Sequence, residues 1–310
     1  MNRWTTHVEI PGFPQQITYR NRLLLIGSCF ADHIGQALLQ RRFHTTVNPF
    51  GTVYNPLSIA NSLQRLQCGE PFTDADVIKS GEVYTTFFHH SRFAHPDKHV
   101  FLQRANEALR QGAQAFAAAD FVILSLGTAW VYRDKDTAQV VNNCHKLPAA
   151  RFERLRLTAD DVVDALSAAT AQPGKRWIIT VSPIRHWKDG AHANQLSKAA
   201  LLLAVEQVQQ TAANVAYFPA YEIMMDELRD YRFYADDMHH PSAQAVSYIW
   251  ERFAHTAFSD KTKKIIREAE KISKAQNHRP LHPDTAAYED FQKKLAQQIA
   301  DFDTLTAADA

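Results

Sequence analysis

The feature that most limits the fold of this 310-residue chain is a set of short, continuous apolar runs, each followed by a segment of helical character. These runs are Leu23–Ile26, Phe121–Leu126, Trp177–Val181 and the stretch Asn214–Phe218. Unbroken apolarity is typical of strands that helices cover on both faces, as in a parallel sheet. The alternation of strands and helices therefore predicts an α/β fold built on an open parallel sheet.

The composition changes after Ser259, where the chain becomes charged and helical in pattern. We therefore predict two parts, a catalytic domain over residues 1–258 and a helical C-terminal extension over residues 259–310. We expect the extension to pack on its own subunit or on a partner. An oligomer could form through these C-terminal helices.

The overall charge balance argues against several classes of partner. The chain has 34 Lys and Arg against 33 Asp and Glu, so its formal net charge is +1 and no basic excess indicates nucleic-acid binding. No apolar run approaches the roughly 20 residues of a membrane span. The first 16 residues lack the apolar core of an export signal, so we expect a cytoplasmic protein. Three sparse cysteines, Cys29, Cys68 and Cys144, indicate neither a disulfide framework nor a zinc site.

Ser28 follows the first predicted strand and precedes a predicted helix. Sites in open α/β sheets form outside the carboxyl ends of the strands, and Gly27 allows a sharp turn there. A hydroxyl at a helix N-terminus lies close to backbone donors that could stabilise an oxyanion. Ser28 is thus a candidate nucleophile, although serine is also a common helix N-cap. Cys29 is the rival nucleophile, but we expect it to point into the packing between sheet and helix.

Asp237 and His240 have the spacing D-x-x-H on a polar segment before a predicted helix. Imidazole is suited to accept a nucleophile's proton near neutral pH, and a carboxylate can orient that imidazole. Asp236 and His239 have the same spacing, and Pro241 favours the Asp237–His240 register. The alternative interpretation is a polar loop that caps the helix.

Further polar residues follow the later strands. Arg185 and His186 come after the third buried strand, where they could bind an anionic or polyol part of a substrate or form a structural ion pair. His145 has the same two interpretations. A histidine cluster lacks the spacing typical of zinc ligation, so we expect neither a metal nor another cofactor. That cluster comprises His89, His90, His95 and His99.

Several separated motifs, in order over about residues 20–255, resemble the GSCFA-domain family. They are Gly27–Ala31, Asn48–Pro56, Leu126–Trp130, Asn143–Lys146, Ser182–His186 and Asp237–Ser242. That family is similar to the SGNH (GDSL-like) hydrolases. The resemblance implies a flavodoxin-like three-layer α/β/α fold, a serine nucleophile after the first strand and a late D-x-x-H. Ser28, Asp237 and His240 match these roles by position.

The same resemblance implies an oxyanion hole with three donors. Two would be the backbone N–H groups of Ser28 and of Gly51, which matches the family's glycine after the second strand. The third is an asparagine after the next strand, where this chain has no asparagine directly after Leu126. Thr128 or Asn143 is the candidate replacement.

Together these features predict a serine hydrolase, an esterase, that acts on an acyl ester through a Ser-His-Asp triad. The preferred substrate is an O-acetylated carbohydrate or another small acyl ester. One alternative is an O-acyltransferase on the same triad, because a sugar hydroxyl could replace water in deacylation. A second is a non-catalytic carbohydrate- or ligand-binding domain that keeps the hydrolase scaffold.

Overall fold

A computed structural model of the protein describes residues 6–278, 280–282 and 284–309. The strands are β1 (Arg22–Gly27), β2 (His44–Val47), β3 (Ile78–Ser80), β4 (Val83–Thr85), β5 (Phe121–Leu126), β6 (Trp130–Asp134), β7 (Val140–Val141), β8 (Phe152–Arg156), β9 (Arg176–Val181) and β10 (Val215–Phe218). The α-helices are α1 (Cys29–Gln40), α2 (Pro56–Cys68), α3 (Lys98–Ala118), α4 (Ala159–Thr170), α5 (Gly190–Thr211), α6 (Ala220–Glu222), α7 (Ala243–Ala257), α8 (Asp260–Gln276) and α9 (Ala286–Ala307).

Five strands form the central sheet in the order β10-β9-β5-β1-β2, and all neighbouring pairs are parallel. In β1, Leu23 and Leu25 belong to one apolar core, whereas Leu24 and Ile26 belong to the other. This alternation explains why the strand sequence is apolar throughout, because both of its faces are covered. The predicted α/β fold with a parallel sheet is confirmed.

Helices cover the sheet on both sides. The core that contains Leu23 includes residues of α1, α7 and α8, and the core that contains Leu24 includes residues of α2, α3, α4 and α5. The result is the expected three-layer α/β/α arrangement. Ile265 and Ile266 of α8 and Phe302 of α9 are buried in the first core, so the C-terminal helices pack on their own chain. The domain boundary after residue 258 stays a prediction, and residues 1–5 of the first predicted part lie outside the described residues.

Polar side chains cap the first turns of α2 and α4. Thr158 accepts the N–H of Asp161, and the Asp161 carboxylate accepts the N–H of Thr158, which forms a capping box at the start of α4. Asn55 caps α2 by accepting the N–H of Ser58, and Pro56 occupies the first helical position. These local hydrogen bonds fix where the chain enters each helix.

Three features of the described residues were not predicted: strand β2, a small antiparallel sheet and a hairpin. Strand β2 pairs with β1 although its HTTV sequence is only partly buried, because it forms the edge of the sheet. A small antiparallel sheet of order β7-β6-β8 and a β3–β4 hairpin occupy regions without a strong apolar period. Among the described residues, no helix is both long and apolar enough to span a membrane.

Candidate active site

A cleft of about 700 Å³ lies at the carboxyl edge of the central sheet. The chain leaves β1 for β2 on one side, whereas β5 pairs with β1 on the other. Doubly wound sheets bind ligands at such a reversal of strand order. Residues lining the cleft include Cys29, Tyr54, Asn55, Thr128, Arg185 and His240.

Ser28 does not reach this cleft. Its side chain has no exposed surface, and its Oγ lies 2.9 Å from Oγ of Ser125 at the end of β5. The same oxygen accepts the N–H of Phe30 as the N-cap of α1. Among the described residues its hydroxyl makes no hydrogen bond to His240. This placement matches the alternative role of a helix cap, and the nucleophilic role predicted for Ser28 stays a prediction.

Cys29, the rival nucleophile, lines the cleft. It is the first residue of α1 and is partly exposed, although it also packs against the apolar core as predicted. Burial raises the pKa of its thiol to about 11, and the backbone N–H groups of Cys29 and Phe30 only partly oppose that effect. The thiol is therefore protonated at neutral pH and needs a base to become a nucleophile.

Asp237 and His240 form the predicted pair. The Nδ1 atom of His240 lies 2.6 Å from Oδ2 of Asp237, and the backbone N–H groups of His239 and His240 each donate to Oδ1 at 2.9 Å. Those backbone donors, chiefly that of His240, hold the pKa of the Asp237 carboxyl below its usual range. Because an ionised carboxylate only accepts, Nδ1 carries the proton and Nε2 is left as an acceptor. The pairing follows the Asp237–His240 register.

The predicted oxyanion donors are engaged elsewhere. The N–H of Ser28 donates to the carbonyl of Ser125 at 3.0 Å, and the N–H of Gly51 donates to Asn48 at 2.8 Å. Both N–H groups therefore already have backbone acceptors, and the donor roles expected of Ser28 and Gly51 stay predictions. A glycine is required at position 51 for steric reasons, since a Cβ there would lie 2.2 Å from the Cβ of His90.

The two predicted replacements differ. Thr128 lines the cleft but is 9% exposed, with its hydroxyl 3.0 Å from that of Ser197 and its N–H donated to Tyr54. Asn143 also lines the cleft, and its Oδ1 accepts the N–H of His145. The structure therefore favours Asn143 over Thr128 as a donor, since its amide nitrogen has no hydrogen-bond partner among the described residues.

The predicted substrate-binding residues are not equivalent. Arg185 lines the cleft with its guanidinium 4.2 Å from the centre of the Trp187 ring. His186 also lines it, but burial lowers the pKa of this imidazole to about 3, so it is neutral. His145 lies outside the cleft lining, because its buried Nε2 bonds the carbonyl of Thr86 at 2.8 Å. In this position His145 links its own loop to the segment that contains Thr86, and the substrate-binding role expected of it stays a prediction.

Sequence reasoning missed a fully buried lysine beneath the cleft. Lys198 of α5 donates to the carbonyls of Gly127 at 2.7 Å and Ser182 at 2.6 Å, which follow β5 and β9. Its amine contacts no carboxylate among the described residues, and burial lowers its pKa to about 7. A lysine within a helical stretch gives no sequence signal for such burial, because most lysines on helices are solvated.

Asn55 was also missed as a site residue. Its Oδ1 is held by the N–H of Ser58, and among the described residues its amide nitrogen has no partner, so that group can donate into the cleft. The asparagine–proline pair at the start of α2 was the available signal. Within residues 6–278, 280–282 and 284–309, no three His, Cys, Asp or Glu side chains converge to hold a metal ion.

Comparison with known proteins gives a family and no individual relative. No curated protein and no solved structure matches the chain. The family model described as the GSCFA family matches residues 22–253, and the GSCFA domain protein C-terminal domain matches residues 269–306. The first match spans every strand of the central sheet, the cleft and the Asp237–His240 pair. The chain therefore belongs to the GSCFA family.

Proposed function

We propose that this protein is an acyl hydrolase or acyltransferase in which Cys29 is the nucleophile and His240, oriented by Asp237, is the general base. One observation carries the proposal: Cys29 and His240 line the same cleft, and Asp237 bonds Nδ1 of the imidazole, which leaves Nε2 without a carboxylate partner among the described residues. The serine mechanism expected from the sequence is the alternative, and the sealed hydroxyl of Ser28 argues against it.

The proposed reaction begins with a proton transfer. Nε2 of His240 accepts the proton of the Cys29 thiol as the sulfur attacks the carbonyl carbon of an acyl ester. The tetrahedral intermediate collapses, and the imidazolium donates that proton to the departing alkoxide. Asp237 stabilises the imidazolium throughout, as in other nucleophile–imidazole–carboxylate systems. The product of this half-reaction is a thioester on Cys29 and a free alcohol.

Two groups are suited to bind the oxyanion. The backbone N–H of Cys29 lies at the first position of α1, where helices leave their N–H groups without an intrahelical acceptor. The second is an asparagine amide nitrogen, that of Asn55 or of Asn143, since both line the cleft and neither nitrogen has a hydrogen-bond partner among the described residues. A single such donor typically contributes about 3 kcal/mol to lowering the barrier.

The thioester can then react with water or with an alcohol. Water gives a hydrolase, and a hydroxyl of a carbohydrate gives an O-acyltransferase. In either case His240 removes a proton from the attacking oxygen. The imidazolium then donates that proton to the departing Cys29 thiolate, which restores the thiol. A cleft of about 700 Å³ is large enough for an acceptor beside the acyl group.

The decisive test is steady-state hydrolysis of p-nitrophenyl acetate by wild type, Cys29→Ala and Cys144→Ala. Cys144 is a matched control because it also lines the cleft and is partly buried. The proposal predicts loss of activity for Cys29→Ala and near-wild-type activity for Cys144→Ala. Equal activity of all three proteins would contradict it, and turnover in the presence of glycerol would separate transfer from hydrolysis.

A further inference from the structure

We infer that the substrate carries a carboxylate or phosphate group, which Arg185 and Lys188 bind at the rim of the cleft. The inference rests on the proposed function, because it names the class of ester that this cleft would take. It starts from the charges of the side chains that line the cleft.

In the part of the chain that the structure describes, three strong cations line the cleft, and only one of them has a carboxylate partner. Arg154 forms an ion pair with Asp189, whose side chain is 5% exposed, so these two charges offset each other. Arg185 and Lys188 have no carboxylate partner within the described residues. The carboxylate of Asp237, next to Arg185, is bonded to His240 and to two backbone N–H groups. The rim therefore keeps two positive charges for a ligand.

Arg185 is held in place for such a role. Its Nη1 donates to the carbonyl of Met238 at 3.2 Å, and its backbone N–H donates to His239 at 3.1 Å. Its guanidinium lies over the rings of Trp187 and Tyr234 at 4.2 and 5.4 Å. These contacts orient the planar guanidinium next to the Asp237–His240 loop. They also reduce the conformational entropy that Arg185 loses when it binds a carboxylate or phosphate group.

Lys188 and Trp187 complete the rim. The Lys188 amine donates to the hydroxyl of Tyr132 at 3.2 Å, which leaves further N–H groups for a ligand. The Trp187 ring is 44% exposed and stacks with His239 at 6.0 Å between ring centres. An exposed indole beside the cations of Arg185 and Lys188 suits a ligand that combines a flat or ring-shaped body with a negative group.

The test measures binding in the Cys29→Ala protein, so that its result does not depend on turnover. Isothermal titration compares glucose, glucuronate and glucose 6-phosphate, which share a ring and differ in charge. We expect at least one of the two anions to bind about tenfold or more tightly than glucose, equal to about 1.4 kcal/mol. Added salt should weaken that binding, since the contact is exposed. The two anions distinguish carboxylate from phosphate recognition.

The charge change has a matched control. Arg185→Gln/Lys188→Gln should remove the preference for the anion, whereas Arg104→Gln/Lys274→Gln, on exposed faces of α3 and α8, should keep it. Equal binding of the three sugars, no binding of any of them at millimolar concentration, or equal losses in both double variants would overturn the inference. Esterase activity measured in parallel on the proteins with Cys29 shows separately whether the proposed function holds.

Discussion

The hydroxyl groups of Ser28 and Ser125 lie 2.9 Å apart at the carboxyl ends of the adjacent strands β1 and β5, and both side chains are almost fully shielded from solvent. This contact directs the hydroxyl of Ser28, in the turn formed by Gly27, Ser28 and Cys29, toward the sheet. The next residue, Cys29, is the one that lines the cleft. The contact therefore separates a structural role for Ser28 from the chemical role proposed for Cys29.

The first prediction follows from that separation. Ser28→Ala removes a helix cap and a buried hydrogen bond, so we expect it to lower the free energy of unfolding by about 1–3 kcal/mol. The folded variant should hydrolyse p-nitrophenyl acetate within tenfold of the wild-type rate. Urea unfolding and initial rates, measured on the same preparation, check both parts. A folded Ser28→Ala protein without activity would restore the serine mechanism.

The Asp237–His240 pair should matter for rate and little for stability. Both side chains are about half exposed, so neither contributes much to packing. We expect His240→Ala to lower kcat roughly 10²–10⁴-fold, the range typical of a lost general base. Asp237→Asn should also lower kcat, because an amide can reverse the tautomer of the imidazole. Thermal unfolding should change little in either variant, and Asp236→Asn serves as the matched control that retains activity.

Lys198 gives the protein a distinctive stability profile above neutral pH. Its folded-state pKa, about 7, lies below the 10.5 of an exposed lysine, so between these values the unfolded chain binds the extra proton. Stability should therefore rise as the pH increases from 7, with this lysine adding about 2 kcal/mol by pH 9. In Lys198→Met, guanidinium unfolding should show that rise reduced by this amount. If stability rises with pH as steeply in Lys198→Met as in wild type, the Lys198 amine is charged in the folded protein and the prediction is wrong.

His89 should make the protein sensitive to acid. It has no exposed surface, its ring contacts Phe50 and Phe72, and burial lowers its pKa from 6.5 to about 3. Below pH 6.5 the unfolded state takes up a proton that the folded state does not, so stability falls as the pH falls.

Replacing His89 with phenylalanine should reduce that loss between pH 7 and 5 by about 2 kcal/mol. Unfolding midpoints over this pH range provide the measurement. His99→Phe is the control, because His99 lies in the exposed first turn of α3. A His89→Phe protein that loses stability in acid as steeply as wild type would contradict the assignment.

Much of the fold could be predicted because strands that are buried on both faces have continuous apolar sequences. The apolar runs of β1, β5 and β9 predicted the parallel sheet. Strand β2 was missed because an edge strand with the sequence HTTV buries little surface. The antiparallel β6–β8 pair mixes aromatic and charged residues, which its position beside the cleft explains.

The sequence predicted which residues pair in the site, but not which side chains point into the cleft. The spacing of Asp237 and His240 gave their pairing, since three residues within one turn suffice to bring them together. The choice between Ser28 and Cys29 depended on which side chain the turn directs into the sheet. That direction is set by the neighbouring strand through Ser125, which lies 97 positions away along the chain. The burial of Lys198 likewise depends on two strand ends that meet only in the folded chain.

The central claim is that an acyl group becomes attached to Cys29, and mass spectrometry of the acid-quenched protein tests it most directly. Wild-type protein is mixed with p-nitrophenyl acetate, quenched, digested and fragmented to distinguish the neighbouring residues 28 and 29. We expect one acetyl group on Cys29 that neutral hydroxylamine removes, as it does for thioesters, and none in the Cys29→Ala protein. An acetyl group on Ser28 that resists neutral hydroxylamine, or no acetylated peptide from an active preparation, would contradict it.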